Sequence, residues 1–453
     1  MNILTAWLRH YLPTLSASDR QLADDLTLRG IAVEGVHDLG PGKGSLFEMD
    51  ITTNRVDAMN HYGIAREAAT IYELPLKPLD TTLPDAQPGP AYPVEIQAPD
   101  LCGRFTARVL RGVTIAPSTG QIADNFSRLG LKAISNAVDA SNFVLHGMGH
   151  PTHAFDLDKI EGGIIIRLAR KGERLRLLDG TERVLEADDL VIADHTKALS
   201  LAGVMGGWDS MITPETKNIL VEAAWFDPAS IRRSSRRHML HTDASHRFER
   251  GADFNAAPAA NALVSKLILE SGGTVHGELT DIVIPGQRAR TVDRPGISLS
   301  ISEVQRHLGR TVEDTQAGSA LNGDRVQRYL TSLGCQLTAT SAGSYLAKLP
   351  SWRLDLEREI DLIEEVARVY GYNRFADTLP TALPIQAHRL AQKEAAVRAR
   401  LLALGYSEAI SSSFAALHEG ATFAGKRGSV ELENPLSEEA GILRPSLLPG
   451  MLG

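Results

Sequence analysis

Four carboxylates lie within eleven residues of one another in the segment PSWRLDLEREIDLIEEVARV, at Asp355, Asp361, Glu364 and Glu365. Apolar residues recur through the same segment at helical spacing, at Ile360, Ile363, Val366 and Val369. This spacing predicts an amphipathic helix over residues 359–368. Asp361, Glu364 and Glu365 would share its polar face, where like charges three or four positions apart repel each other.

This acidic motif has two interpretations. A cation would remove the repulsion, and Mg²⁺ suits hard oxygen ligands, taking one or two carboxylates and keeping several waters. Alternatively the motif is a solvated acidic face, balanced by Arg353, Arg358 and Arg368. From spacing alone, the solvated face is the simpler interpretation.

Length and composition indicate a protein of several domains. A chain of 453 residues is too long for one ordinary domain, so three or four are expected. Its hydrophobic content of 43% is enough for several packed cores. The formal net charge of −8 provides no general attraction for nucleic acid. Contacts with RNA would therefore depend on local basic patches, such as Arg232-Arg233 and Arg236-Arg237.

The two cysteines, Cys102 and Cys335, are far apart in sequence. They exclude a disulfide framework and a zinc site built on cysteines, and they fit a reducing compartment. No apolar run approaches the length of a membrane span, and the N-terminal residues lack the pattern of a signal peptide. We therefore expect a soluble, cytoplasmic protein with no membrane partner.

The fold class is predicted to be α+β and multidomain. An N-terminal α+β unit covers residues 1–85, with helices from Ser18 to Leu28 and from His61 to Tyr72, and a proline-rich linker follows. A second α+β unit, rich in short strands, covers residues 94–284. A third, over residues 296–379, mixes helices with a small sheet, which suggests either a winged-helix-like module or a simple spacer.

The last unit is predicted over residues 387–453. A helix is expected from Leu390 to Leu404 and a strand from Ala409 to Phe414. The sequence stops at Gly453 in what reads as the middle of a domain, so we expect this unit to be incomplete.

The segment PSWRLDLEREIDLIEEVARVYGYN resembles the signature of the β subunit of bacterial phenylalanine–tRNA ligase. Further segments resemble the same family in the same order, among them DITTNRVDAMNHYGIAREAA, GHPTHAFDLDKIEG, HTDASHRFERGAD and ENPLSEEAGILRPSLLPGML. The resemblance implies that Asp355, Asp361, Glu364 and Glu365 bind a magnesium ion shared with an α subunit. It also implies that residues 94–284 are an editing module and that the last unit is a catalytically inactive, synthetase-like domain.

Two departures from the family concern its tRNA contacts. Family members of the usual length carry an OB-fold tRNA-binding domain inserted in the first unit, and Leu39–Ser45 is too short to hold one. The family also continues beyond the position of Gly453 with more of the synthetase-like domain and an anticodon-binding domain. We therefore expect a chain that is truncated relative to the family and lacks these contacts.

The resemblance also implies an editing pocket in the second unit. The family's editing histidine falls on His153 and its pocket glutamate on Glu222. The other pocket positions fall on Gly206, Thr242, Ala244 and Lys132. Lys132 stands where arginine is usual and so lacks the planar, bidentate geometry of a guanidinium group. His150 stands where glutamine is usual.

Each of these residues also has a structural interpretation. A histidine beside a proline is often structural, and Glu222 lies in a strand-like run where it can be a satisfied edge residue. Ser245 and His246 suggest a hydrolase triad, but no GxSxG pattern surrounds the serine. The glycines of GVMGG lack the lysine and hydroxyl residue that follow a phosphate-binding loop.

Taken together, the residues and the resemblance predict the β subunit of an aminoacyl-tRNA ligase with α2β2 composition. The α subunit would use ATP to attach phenylalanine to tRNA(Phe), and the present chain would hydrolyse mischarged Tyr-tRNA(Phe). Two alternatives stay open at this point: a stand-alone tRNA-editing hydrolase and a non-catalytic scaffold subunit.

Overall fold

The computed structural model describes residues 1–315, 318–377, 379, 388–425 and 428–452. The chain forms two compact units, Met1–Asp377 and Thr378–Gly453. The predicted start of the last unit at residue 387, and its end at residue 453, lie outside the described residues. No helix in the described ranges is both long enough and apolar enough to cross a membrane.

The N-terminal part of the larger unit is a three-stranded antiparallel sheet covered by helices. Its elements are β1 (Asn2–Leu4), α1 (Thr5–Tyr11), α2 (Asp19–Thr27), β2 (Ala32–Asp38), β3 (Ser45–Asp50) and α3 (His61–Ile71), and the strand order is β1-β3-β2. The two helices predicted here are confirmed. Ser18 caps α2, since its hydroxyl accepts a hydrogen bond from the backbone N–H of Gln21 at 3.2 Å. After the helix, Gly30 adopts a φ of +82°, which a glycine tolerates without strain.

The middle part begins with β4 (Val94–Ile96), β5 (Cys102–Arg111), α4 (Gly120–Leu129), α5 (Asn136–Met148), β6 (Thr152–Asp156), β7 (Ile164–Leu168), β8 (Arg174–Arg176) and β9 (Glu182–Val184). It continues with β10 (Leu190–Ala193), β11 (Ala198–Leu201), β12 (Met205–Gly206), β13 (Asn218–Phe226), α6 (Pro228–Arg237), α7 (Asp243–Phe248), α8 (Ala257–Leu269), β14 (Thr274–Val283) and α9 (Pro285–Thr291). Two sheets result, of order β14-β5-β13-β6 and β12-β11-β10-β7-β4, and β8 pairs with β9.

The strand β13 divides its side chains between two cores. Ile219, Val221 and Ala223 pack with residues of α5 and α8 on one face of the four-stranded sheet. Leu220 and Ala224 point the other way, into the core shared with the five-stranded sheet. Because side chains alternate along a strand, Glu222 also points into the space between the two sheets.

The C-terminal part of the larger unit is a three-stranded antiparallel sheet with three helices. Its elements are β15 (Ile297–Ser300), α10 (Ile301–Leu308), α11 (Gly323–Ser332), β16 (Gln336–Ser341), β17 (Ser344–Lys348) and α12 (Glu359–Tyr370), with strand order β15-β17-β16. Apolar residues of α11 and α12, including Val326, Leu330, Leu362 and Val366, form a core with the sheet.

The smaller unit contains α13 (Arg389–Ala403), β18 (Phe414–Ala415), α14 (Leu417–Phe423), β19 (Val430–Glu431), β20 (Ile442–Leu443) and α15 (Pro449–Leu452). The helix predicted from Leu390 is confirmed, but the strand predicted over Ala409–Phe414 is wrong because pairing begins only at Phe414. Ile410 is 97% exposed, so the apolar residues of that run have no core to pack against.

The helix predicted from the acidic motif is confirmed, but its predicted polar face is not. α12 buries Glu365 and Arg368 together with its apolar residues, whereas Ile360 is 40% exposed. The reason is electrostatic: Glu365 lies between Arg353 and Arg368, so its charge is matched inside the protein rather than by water.

These pairs belong to a buried ionic network that connects the first and last parts of the larger unit. Its six most buried members have side chains no more than 9% exposed, and three are cations and three are anions: Arg55, Arg353, Arg368, Asp57, Glu67 and Glu365. One further cation, Arg66, and one further anion, Asp355, pair with Asp57 and Arg353 at its edge. Their formal charges cancel, as buried charges must if the network is not to destabilise the fold.

Glu67 of α3 bridges two arginines in this network. Its carboxylate accepts hydrogen bonds from Arg368 at 2.5 and 3.1 Å and a further short one from Arg55. Burial alone would raise the pKa of Glu67, but the charges of Arg368 and Arg55 outweigh burial and hold it below the ordinary value. The carboxylate therefore stays ionised and ties α3 to α12.

Replacing Glu67 with glutamine should strongly destabilise the larger unit. The substitution keeps the shape but leaves two buried guanidinium groups short of an anion, which costs about 3–5 kcal/mol. Urea denaturation measures the loss. The matched control is Glu182→Gln, because Glu182 is 52% exposed and pairs with the exposed Arg174, so about 1 kcal/mol or less is expected. Equal effects of the two substitutions would show that the network does not hold these segments together.

Candidate functional site

A cavity of about 280 Å³ lies between the two sheets of the middle part. Five of the six residues predicted for the editing pocket line it, namely His153, Gly206, Glu222, Thr242 and Ala244. They come from β6, β12, β13, the N-cap of α7 and α7 itself. Residues distant in sequence are thus brought together at one place, although their chemical roles stay predictions.

Glu222 and His153 are direct neighbours in the four-stranded sheet. β13 pairs with β6 in antiparallel register, and Glu222 lies opposite His153. Directly opposed residues of an antiparallel pair project to the same face of the sheet. The carboxyl group and the imidazole therefore enter the cavity side by side.

Among the described residues, no cation stabilises the charge of the Glu222 carboxyl. The residue is 5% exposed, and its side chain makes no hydrogen bond or ion pair with the part of the chain that the structure describes. Burial disfavours the charged form and raises the pKa of Glu222 to about 8. At neutral pH the group is mostly a protonated acid, which can both donate and accept a hydrogen bond.

His153 is neutral for the same physical reason. Burial lowers the pKa of His153 to about 4, and its ring packs edge-on against Phe155 with centroids 4.4 Å apart. Its Nε2 is buried and makes no hydrogen bond to the described part of the chain. A neutral imidazole with an unpaired nitrogen can hold a water molecule or a ligand atom at that position.

Gly206 lies against the ring of His153. A Cβ added at residue 206 would lie 2.4 Å from Cε1 and 2.7 Å from Nε2 of His153, distances that no real contact has. The position has an ordinary backbone conformation, so the requirement for glycine comes from the imidazole and not from a positive φ. Any side chain here would displace His153 from the cavity wall.

Thr242 holds two segments of the cavity wall together by hydrogen bonds. Its hydroxyl donates to the carbonyl of Val204 at 2.8 Å and accepts from the backbone N–H of Ser245 at 3.0 Å. Ser245 returns the interaction by accepting from the N–H of Thr242, which completes a capping box. The Thr242 hydroxyl is thus committed to holding the loop before β12 against α7.

Lys132 is not brought to the cavity with the other five residues. It is exposed in the loop between α4 and α5 and is not among the residues that line the cavity. His150 is buried beside Phe248, with ring centroids 6.1 Å apart, and it too lies outside the cavity lining. Neither departure from the family pattern alters the walls of this cavity.

Sequence reasoning did not assign to the pocket five polar residues that line the same cavity: Ser141, Asn142, Thr152, Ser200 and Asp243. The hydroxyls of Ser141 and Thr152 are buried and make no hydrogen bond to the described residues. Polar side chains that point into a buried space usually have a partner, so the Ser141 hydroxyl marks a ligand-facing position. The signal in the sequence was weak, because the pair Ser141-Asn142 lies in a helix that also contains Asn136, Asp139 and His146.

The acidic motif does not form the metal site that the resemblance implies. Glu365 accepts hydrogen bonds from Arg353 and Arg368. Asp355 accepts hydrogen bonds from Arg353 at 2.8 and 3.0 Å. Asp361 caps α12 by accepting from the N–H groups of residues 357 and 358, at 2.9 and 2.8 Å. Glu364 is exposed.

The chemistry of these donors therefore does not fit a magnesium ion. Three of the carboxylates already accept hydrogen bonds from arginines or backbone N–H groups, and the fourth, Glu364, is exposed. Within the described ranges, no group of three or more His, Cys, Asp or Glu residues is placed to hold a metal ion. In the described structure these carboxylates belong to a helix cap and an ionic network, and the magnesium site stays a prediction.

Three family models match successive parts of the sequence. A B3/4 domain matches residues 101–273, a tRNA synthetase B5 domain matches residues 297–372, and the CLM domain of the phenylalanyl tRNA synthetase beta chain matches residues 376–453. The first of these matches contains the cavity and all of its lining residues.

Curated relatives match nearly the whole chain. The phenylalanine–tRNA ligase beta subunit of Anaeromyxobacter dehalogenans is 40% identical over 415 residues, and that of Yersinia pestis is 38% identical over 408 residues. These matches cover 90% and 89% of the present chain and 50% of each relative. An N-terminal fragment of the phenylalanyl-tRNA synthetase beta subunit from Pyrococcus horikoshii is 16% identical, covers 82% of the chain and 99% of that fragment, and has a TM-score of 0.43.

The chain spans about half the length of the curated relatives that it matches. The match extends over all three family models in one order and over nine-tenths of the sequence. The chain therefore belongs to the family of phenylalanine–tRNA ligase β subunits.

Proposed function

We propose that this chain is the non-synthetic subunit of a phenylalanine–tRNA ligase and that its cavity hydrolyses Tyr-tRNA(Phe) formed in error. An α subunit would attach phenylalanine to tRNA(Phe) with ATP, in an α2β2 assembly. The observation that supports the editing role is the buried, uncharged Glu222 beside His153 in a cavity with further unpaired polar atoms. No step of the proposal passes through a metal ion on this chain.

The division into modules remains a proposal as well. Residues 1–85 would be the N-terminal unit, residues 94–284 the editing module, residues 296–379 a winged-helix-like module and residues 387–453 a synthetase-like domain. Helices packed on a three-stranded sheet, β15-β17-β16, support the third assignment. The match to a CLM domain supports the fourth.

Selection of tyrosine would follow from the cost of an unpaired polar group. A synthetic pocket shaped for an apolar ring rejects an added hydroxyl only about a hundredfold. The editing cavity would instead favour the added hydroxyl. A tyrosyl hydroxyl can hydrogen-bond to the Glu222 carboxyl, whereas a phenylalanyl ring leaves that carboxyl unpaired. Leaving a buried polar group without a partner costs about 1–3 kcal/mol.

Hydrolysis would then require a water molecule held at the ester. His153 Nε2 is free to accept a hydrogen bond from that water, and Gly206 keeps the imidazole in place by leaving it room. With a pKa of about 4, His153 is a weak base at neutral pH, so its contribution is to orient the water more than to remove its proton. The ester bond breaks to give free tyrosine and tRNA with a terminal hydroxyl.

A stand-alone editing hydrolase is the second candidate. The observation that favours it is that the cavity is formed wholly by residues of Met1–Asp377, one compact unit. Stable co-purification with an α subunit would support the ligase assembly, whereas deacylation by the isolated chain with no such association would support the second candidate.

The first prediction of the proposed function concerns the recognition of tyrosine. Glu222→Ala should lower kcat/KM for hydrolysis of Tyr-tRNA(Phe) by roughly 10- to 100-fold, and Glu222→Gln should lie between this variant and the wild type, because the amide can still hydrogen-bond the hydroxyl. Glu278→Ala, an exposed position in the same sheet, is the control and should match the wild type. No hydrolysis by the unmodified chain would refute editing, and full activity of Glu222→Ala would refute the role of Glu222.

The second prediction concerns pH and stability. The pKa of Glu222 is about 8 in the folded chain, against 4.5 for an ordinary glutamate, so the folded state keeps a proton that the unfolded state has lost. Stability from this group is complete below pH 4.5 and is lost as pH rises through 8. Glu222→Gln, which does not titrate, should gain stability over the wild type by up to about 1.4 kcal/mol per pH unit in this window. Urea denaturation at pH 5 to 8 tests this, and a constant difference would show that Glu222 is charged in the fold.

The third prediction concerns the division of labour. The purified chain should show no phenylalanine-dependent exchange between ATP and pyrophosphate, because the synthetic site is assigned to the α subunit. Exchange should appear when an α subunit is added. Robust exchange by this chain alone would contradict the assignment.

A further inference from the structure

A separate cavity lies where the three parts of the larger unit meet, and we call it the junction cavity. Its volume is about 340 Å³. It is lined by Arg66 of α3, by Met148 at the end of α5, by Ala259 of α8 and by Trp352 in the segment between β17 and α12. The junction cavity and the editing cavity share no lining residue.

The charge of Arg66 is incompletely matched, although its side chain is only 14% exposed. Its Nη1 lies 3.5 Å from the Asp57 carboxylate and makes no hydrogen bond to the described part of the chain. Asp57 already accepts hydrogen bonds from Arg55 at 2.9 and 3.0 Å. Burial therefore lowers the pKa of Arg66, whereas carboxylate neighbours raise the pKa values of Arg55 and Arg368.

Trp352 holds the Arg66 guanidinium group in a fixed plane. The central carbon of that group lies 4.4 Å from the centre of the indole ring, as in a cation–π contact. The indole Nε1 of Trp352 is buried and makes no hydrogen bond to a described residue. A guanidinium group and an indole N–H can only donate hydrogen bonds. What these two neighbours lack is an acceptor, such as a carboxylate oxygen.

Asp253 provides the opposite charge in the junction cavity. Its carboxylate accepts a hydrogen bond from the backbone N–H of Asn255 at 2.9 Å. Burial raises the pKa of Asp253, and its hydrogen bonds and the charges of Arg66 and Arg104 offset that effect only in part. A cationic group of a ligand would complete the stabilisation of this carboxylate.

The rest of the wall includes several apolar side chains, namely Val56, Leu79, Met148, Ala256 and Ala259. The cavity thus offers a cation, an anion and an apolar surface. A simple anion such as phosphate would fit Arg66 but would be repelled by Asp57 and Asp253. A ligand that carries both charges adds no net charge to a buried region, so its burial costs less.

We infer that the junction cavity binds a free α-amino acid with an apolar side chain. The ligand's carboxylate would accept hydrogen bonds from Arg66, its ammonium group would pair with Asp253, and its side chain would contact Leu79 and Met148. This inference does not depend on the proposed editing function, because the two cavities have different walls and binding requires no hydrolysis.

The test measures binding of L-leucine to the full chain by isothermal titration calorimetry. Two analogues each lack one charge: 4-methylpentanoate has no ammonium group, and 3-methylbutylamine has no carboxylate. Each should bind at least about tenfold more weakly than L-leucine, because each leaves one buried charge without a partner. Equal affinity for the three compounds, or no binding of L-leucine at millimolar concentration, overturns the inference.

A substitution assigns the binding to this cavity. Asp253→Asn removes the charge opposite the ammonium group, so it should weaken binding of L-leucine at least about tenfold and leave that of 4-methylpentanoate unchanged. The matched control is Asp124→Asn, at an exposed aspartate of α4 that lines neither cavity, and it should bind L-leucine like the wild type. Circular dichroism checks that each variant folds. If Asp253→Asn does not fold, the comparison of the three compounds on the unmodified chain decides the question.

Two results with a folded Asp253→Asn variant would contradict the inference. If this variant binds L-leucine like the wild type, the ligand lies elsewhere, the editing cavity included. If it weakens L-leucine and 4-methylpentanoate equally, Asp253 supports the cavity wall and does not pair with an ammonium group.

Discussion

The pairing of β13 with strands on both of its sides is the constraint on which the candidate site depends. Its register with β6 sets Glu222 opposite His153, and its register with β5 fixes the strand at the centre of the four-stranded sheet. A slip of one residue would turn the whole strand over. Glu222 would then enter the apolar core beneath α5 and α8, and Val221 would enter the cavity. The two cores on either side of β13 exclude that slip, because each is filled by its own set of apolar side chains.

The same constraint explains how a carboxyl group comes to be uncharged. In the network around Arg368, buried carboxylates lie among guanidinium groups and remain ionised. In the cavity, burial acts on Glu222 with no cation to oppose it, and the proton is retained. One chain thus contains buried glutamates in both protonation states, and the difference lies in whether an arginine reaches them.

Much of the regular structure could be predicted from local patterns, and the failures have physical causes. The helices α2, α3 and α12 follow from capping residues and apolar periodicity, which act over short distances. The polar face of α12 was mispredicted because Arg353 and Glu67, distant in sequence, provide partners that no local pattern reveals. The same interactions occupy carboxylates of the acidic motif for which a magnesium site was predicted. The strand predicted at Ala409 failed because its apolar residues meet no core. Five cavity residues were identified through the resemblance, and Ser141, Asn142 and Thr152 were missed because only the packing of α5 on β6 places them together.

The burial of the six-membered ionic network also affects how the protein responds to dissolved salt. Mobile ions screen charges that face the solvent, and at about 1 M salt the screening length falls to about 3 Å. Counter-ions cannot enter between Arg368, Glu67 and Glu365, whose side chains are almost completely enclosed. The buried ion pairs that connect the first and last parts of the larger unit are therefore little affected by ionic strength. Surface ion pairs of the same unit, such as Arg174 with Glu182, weaken as salt is added.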